Sequence, residues 1–211
     1  DWKEVLVWQL YRSARAFLNE GAAFFEQRRV GFEDLRHEVE GALGADFRDE
    51  VAAHFSQMPE RYFRMFDADR IAGHVRLFRK FYRSHLGDDA SGLCPVLEWK
   101  HRPEQGHSEV LVCGWDHPGL VARICGAFLA AKVNVLSADI HTRGDNLVLD
   151  VFRVCDAKHR PVENERDQRT VEKLLDESLL APAFDFAPHI AKARRRVGYL
   201  MSQEADIPTR I

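Results

Sequence analysis

Glu109-Val110-Leu111-Val112-Cys113-Gly114-Trp115-Asp116-His117-Pro118-Gly119-Leu120 passes from a compact apolar run through a turn into a helical rhythm. Glu109 to Cys113 suits a buried strand. Beyond the turn, Leu120, Ile124, Ala127, Phe128 and Ala131 fall on one helical face. Asn134 to Thr142 then alternates, with Leu136, Ala138 and Ile140 on one side and Ser137, Asp139 and His141 on the other. Arg143-Gly144-Asp145-Asn146 has the chemistry of a hairpin turn, and Leu147 to Val154 returns as a strand. Val171, Leu174, Leu175 and Leu179 mark a second helix.

The resulting order, β-α-β-β-α, is one strand short of a ferredoxin-like βαββαβ unit. The missing strand is expected to begin in Ile207-Pro208-Thr209-Arg210-Ile211, where an extended apolar segment starts as the chain stops, so the last strand reads as truncated. Upstream the rhythm is helical throughout. Trp2, Val5, Leu6, Leu10, Ala14, Phe17 and Leu18 keep helical spacing, as do Phe32, Leu35, Val39 and Leu43, and then Val51, Ala52, Phe55 and Met58 before Pro59. Asp67 is a good N-cap for a further helix through Ile71, Val75, Phe78 and Tyr82 that ends near Gly87. Gly92, Pro95, Pro103 and Gly106 punctuate a connection in which only Leu97-Glu98-Trp99 alternates like a short strand. The expected fold is therefore α+β: a helical segment at 1–87, a linker at 88–106, and the mixed domain at 107–211.

The whole chain has 211 residues, with 30 basic and 33 acidic side chains and a net charge of -3, so no general attraction to nucleic acid exists. Its 45% hydrophobic and 30% charged content is that of a globular protein. The longest apolar stretch, around Leu120 to Ala131, is interrupted by Arg123 and is too short to span a membrane. Cys94, Cys113, Cys125 and Cys155 are dispersed, without C-x-x-C spacing, as expected of reduced thiols in the cytoplasm. The opening Asp1-Trp2-Lys3-Glu4 lacks an initiator Met and a leader, and is expected to start inside a longer parent.

Catalytic signatures are missing from the sequence. It has no Gly-Ser followed by paired carboxylates for magnesium, no His-Asp pair, no H-x-x-x-H helix, no Walker lysine loop and no G-x-S-x-G elbow. Asp67-Ala68-Asp69 has carboxylate spacing alone and reads as a helix cap. Asp116, His117, Pro118, Gly119 and Leu120 have a more specific placement, between a strand and a helix. The first amides of such a helix lack partners and face the positive end of its dipole, which suits a carboxylate. Gly119 has no Cβ to obstruct a ligand, and Asp116 has the charge to accept an ammonium group. The competing reading makes Asp116 a cap and Pro118-Gly119 plain turn punctuation. Asn134, with two donors and an acceptor, suits a zwitterion and is expected to return beside that loop; alternatively it is a helix stop.

Asp116-His117-Pro118-Gly119-Leu120, Ala122-Arg123-Ile124, Asn134-Val135, Asp139-Ile140-His141-Thr142 and Leu149-Asp150-Val151-Phe152-Arg153-Val154 together resemble an ACT domain, a small amino-acid-binding regulatory module. With His54-Phe55-Ser56-Gln57-Met58-Pro59-Glu60-Arg61-Tyr62-Phe63 added, the chain is similar to the C-terminal region of the bifunctional PII-protein uridylyltransferase/uridylyl-removing enzymes. The resemblance implies a helical segment after an HD domain, followed by the first of two ACT modules. It implies sensing of L-glutamine or another small amino acid at Asp116, His117, Pro118, Gly119, Leu120 and Asn134. It also implies a PII signalling protein as partner of the parent, whose chemistry uses Mg and UTP, with no catalytic residue, cofactor or metal in this region. A homodimer is expected, through the uncovered edge of the Glu109–Cys113 strand or by sheets packing side by side; alternatively Leu97 to Trp99, or the segment after Ala183, folds back over that edge and leaves a monomer. Competing readings are an ACT fragment of a stringent-response nucleotide hydrolase, a dimerisation module without ligand, and an RNA-binding sheet. The last is disfavoured because Glu109 to Cys113 carries no aromatic residue on which a base stacks.

Overall fold

A computed structural model describes residues 22–84, 94–181 and 183–193 of the chain, together with isolated positions between 7 and 18. The expected helix from Trp2 to Asn19, the basic run at Arg194–Arg196 and the expected strand at Ile207–Ile211 lie largely or wholly outside those residues. Two compact units are present. One takes Asp1–Ser56 and Glu60–Val75, and the other takes Gln57–Pro59 and Arg76–Ile211. The division falls inside a helix, not at the linker.

The first unit is built from α1 (Ala22–Leu43), α2 (Arg48–Gln57), α3 (Glu60–Phe63) and the start of α4 (Ala68–Ser84). Val39, Val51, Phe55, Tyr62, Phe63, Phe66, Ile71 and Val75 fill its core. The ring of Phe32 meets Phe55 and Phe63 edge-on at 5.2 and 5.0 Å. Asp67 caps α4 as its sequence position suggests, its Oδ1 accepting from the Arg70 amide at 2.9 Å. Inside this core the Tyr62 hydroxyl lies 2.9 Å from His54 Nε2 and 2.7 Å from His74 Nδ1, and all three residues are buried.

In the second unit β1 (Val96–Arg102), β2 (His107–Trp115), α5 (Leu120–Ala130), β3 (Asn134–Thr142), β4 (Leu147–Cys155) and α6 (Glu165–Leu180) follow in order. The strands form one antiparallel sheet in the order β1-β2-β4-β3. Residues of even number in β2 and β4 form the helix-facing side. Val110, Val112, Val148, Phe152 and Val154 pack there against Leu120, Ile124, Phe128, Leu174 and Leu175. Leu111, Cys113, Leu149 and Val151 on the reverse side are buried as well. The C-terminal half of α4 lies at that side, with Phe81 against Trp115 at 5.9 Å between ring centroids.

The edge of β2, expected to be bare, is covered. β1 pairs with it antiparallel from Val96↔Cys113 to Arg102↔His107, in the place that a final strand takes in a ferredoxin-like sheet. The stretch expected as a linker thus holds a seven-residue strand, extending the short alternation at Leu97–Trp99. Leu97 and Trp99 pack on the core, and Trp99 Nε1 donates to Glu172 of α6 at 3.1 Å. The edge-driven route to self-association through β2 is therefore closed. β3 is an edge strand of the described sheet, and Val135 and Leu136 on it are exposed.

Candidate functional site

β2 ends at Trp115, and the chain turns through Asp116, His117, Pro118 and Gly119 into α5. The turn is fastened from outside: the Asp116 amide donates to the Asn146 carbonyl at 2.8 Å, and Asn146 Nδ2 donates back to the Asp116 carbonyl at 3.1 Å. Gly119 is the N-cap of α5, with φ +85°, a left-handed conformation that glycine adopts without the cost a side chain adds. Apart from its chain neighbours, no atom of the described residues lies within 4 Å of the position a Cβ would take there, so the backbone is open to approach. The N-cap position of α5 is taken by Gly119, not by Asp116. The Leu120 amide donates to the His117 carbonyl at 3.2 Å and the Arg123 amide to Gly119 at 3.0 Å. Between them the Val121 and Ala122 amides stand in the first turn, where no helical carbonyl precedes them. Asp116 and His117 are half-buried, Pro118 and Gly119 exposed, and Leu120 buried in the core. Pro118 supplies no amide.

Asn134 does not join this group. It starts β3 opposite Cys155, whereas Trp115 lies opposite Leu147. The steps of β4 between those partners put the two positions about 27 Å apart along the sheet. The error in the sequence reading is topological. α5 carries the chain along the sheet and delivers it to the far end, where Asn134 Nδ2 donates to the Asp156 carbonyl at 3.2 Å. Near that end is an open cleft of about 230 Å³ beside Lys132, Asp156, Lys158 and Arg160. A larger cleft of about 880 Å³ runs between the end of α5 and the start of α6, lined by Lys132, Arg166, Arg169, Lys173 and Lys192 among others. Both concavities are open and charged, and neither includes Asp116 to Leu120.

One buried group near the loop escaped the sequence reading. Asp150 stands on the helix-facing side of β4 between Val148 and Phe152, opposite Val112 and Ile140, with no exposed surface. Neither carboxylate oxygen has a hydrogen-bond partner of good geometry. Burial pushes its pKa up to about 7, against a lowering by the nearby His141 backbone and with a further rise from Asp116. Period-two counting from Val148, Phe152 and Val154 was the signal that places it in the core. Burial likewise raises Cys113 and Cys125, with Asp150 contributing to both, so these thiols stay protonated. Among the described residues no cluster of three or more His, Cys, Asp or Glu is arranged to hold a metal ion, and no described helix is long and apolar enough to cross a membrane.

Residues 109–171 match the ACT domain family. The chain is also similar to curated bifunctional uridylyltransferase/uridylyl-removing enzymes. It is 34% identical over 167 residues to that of Rhodospirillum rubrum, covering 78% of this chain and 17% of the relative. It is 33% identical over 162 residues to that of Thiobacillus denitrificans, covering 76% and 18%, and 27% identical over 211 residues to that of Aliivibrio fischeri, covering 100% and 23%. The chain thus spans about a fifth of the length of these relatives. A helical unit followed by a four-stranded antiparallel sheet under two helices agrees with that match. Residues 109–171 form an ACT domain, carried in a chain that resembles a region of the bifunctional uridylyltransferase/uridylyl-removing enzymes over most of its length.

Proposed function

We propose that this chain is the amino-acid-sensing regulatory region of a PII uridylyltransferase/uridylyl-removing enzyme, with L-glutamine as its ligand, biasing the parent between adding and removing UMP. The observation that carries the reading is Gly119: a left-handed N-cap with open space beside it, at the free amides of α5 and next to the Asp116 carboxylate. The ligand carboxylate is received by the Val121 and Ala122 amides, and its ammonium by Asp116. His117 borders the ligand from the turn. Because Asn134 lies at the other end of its own sheet, its part in recognition is assigned to the loop of a neighbouring module, placed by pairing of β3 edges. The PII protein, Mg and UTP belong to the parent enzyme in this reading.

Calorimetric titration of the chain with L-glutamine, and with other small amino acids as controls, tests it. Gly119→Val should weaken glutamine binding at least tenfold, about 1.4 kcal/mol. Unchanged affinity in that variant moves the site elsewhere. A second reading, a module that associates without ligand, is favoured by the exposed Val135 and Leu136 on the open β3 edge. Concentration-dependent mass in light scattering, with no heat from any amino acid, would select it.

A further inference from the structure

The turn Arg143-Gly144-Asp145-Asn146 does more than reverse the chain. At one side Asn146 holds the Asp116 backbone by the two hydrogen bonds described above. At the other side the same four residues grip helical elements. The Gly144 amide donates to the Gln57 carbonyl at 3.0 Å. The Arg143 guanidinium lies 4.5 Å from the centroid of the Phe78 ring, and is pinned in a fork by Asp145, Nε to Oδ1 at 3.0 Å and Nη2 to Oδ2 at 2.8 Å. Tyr82, one turn beyond Phe78 on α4, brings its hydroxyl to 3.5 Å from Asp145 Oδ2.

These contacts need their residue types. Arg143 is almost fully buried, and a planar guanidinium can satisfy a carboxylate with one edge while stacking its face on an aromatic ring; an ammonium cannot do both. Asn146 has φ +66°, a conformation asparagine tolerates better than most residues, and its amide is the only part of the side chain that reaches Asp116. A Cβ on Gly144 would stand 2.4 Å from Gln57 Oε1 and displace that side chain.

We propose that the Arg143–Asn146 turn is a mechanical strap that transmits occupancy of the Asp116–Leu120 loop to the C-terminal half of α4, with Asn146 as its input contact and Arg143 as its output contact. The inference rests on the ligand reading of the loop but concerns the connection, not the ligand. Movement of Asp116 toward a bound ammonium pulls on Asn146, which is fixed to the Arg143 carbonyl through its own amide at 3.1 Å. Arg143 carries that displacement to Phe78, and Asp145 carries it to Tyr82. Arg143 and Asn146 are positioning residues, since neither is assigned a contact with ligand.

Hydrogen exchange read by mass spectrometry on the whole chain tests the strap, with peptides covering 114–121, 76–84 and, as the far-end control, 134–140. Asn146→Gly keeps the positive φ and removes the amide, and should speed exchange at 114–121 about fivefold, the worth of one net hydrogen bond, leaving 134–140 unchanged. Phe78→Ala should also speed exchange at 114–121 although it does not touch the loop. Saturating L-glutamine should slow exchange at both 114–121 and 76–84 in the parent chain. In Arg143→Lys the protection should persist at 114–121 and vanish at 76–84. Protection at 76–84 that survives Arg143→Lys, or a loop indifferent to both Asn146→Gly and Phe78→Ala, overturns the strap. Absence of any protection by glutamine overturns the ligand reading, and the two ligand-free variants then decide the strap by themselves.

Discussion

Tyr62 in the helical unit and Asp150 in the sheet unit are equally inaccessible, each at 0% exposure, yet their polar atoms are treated in opposite ways. The Tyr62 hydroxyl has one proton and lies between two imidazoles, so it donates to one of His54 and His74 and accepts from the other. The ring nitrogens facing it are thereby assigned opposite protonation states. Asp150 sits among apolar neighbours, and among the described residues neither of its oxygens has a hydrogen-bond partner of good geometry. A hydroxyl held on both sides fixes one arrangement of α2, α3 and α4. An unsatisfied carboxyl fixes nothing, and charges the fold a penalty that depends on its proton.

The largest expected effect follows from that penalty. Folded Asp150 titrates at about 7, while in an unfolded chain an aspartate titrates near 3.9. Between those values the folded state holds a proton that the unfolded state has released. Its contribution to stability therefore falls as pH rises from about 4 to about 7 and is constant above, by on the order of 4 kcal/mol. Asp150→Asn never ionises, so the variant should match the parent near pH 4, exceed it increasingly up to about pH 7 and keep that margin above. Urea unfolding of both proteins across that range checks the difference. Parallel curves would mean the carboxyl finds a partner in solution.

Tyr62→Phe comes next. It strips the shared partner from His54 and His74 while keeping the ring, and should cost about 2–3 kcal/mol in the helical unit. Exchange rates of α2 and α4 amides report it. Smallest is Asp67→Ala, where the capped amide is released to water and the loss should be about 1 kcal/mol. A loss as large as that of Tyr62→Phe would show that burial is not what separates the two cases.

The strands and helices that carry one consistent period were legible from the residues. Asn134 to Thr142 and Leu147 to Cys155 fall where alternation and the Arg143–Asn146 turn put them, and Asp67 caps the helix it precedes. β1 was only partly visible, because past Trp99 the strand continues as Lys100, His101 and Arg102, polar side chains that carry no apolar signal, with Arg102 paired to Glu109 and His101 to Ser108. Asp150 was hidden in the opposite way, inside a run so apolar that its neighbours spoke for it. The loop itself was legible as Asp116 to Leu120, but the distance to Asn134 was not, since spacing along a chain does not say at which end of a sheet a crossover helix releases it.

The placement of β1 also bears on how the sheet is assembled in time. Its four strands consist of two hairpins, β1–β2 closed through Pro103 to Gly106 and β3–β4 closed through Arg143 to Asn146, laid together along β2 and β4. Each hairpin forms from neighbouring sequence on a timescale of about 1–10 μs, so the slower event is docking one preformed ribbon on the other. A final strand drawn from beyond α6 would instead have to find β2 across nearly the whole module. Filling the edge from the N-terminal side replaces that distant search with a local closure, lowering the contact order of the domain and shortening the interval in which β2 stands open to a wrong partner.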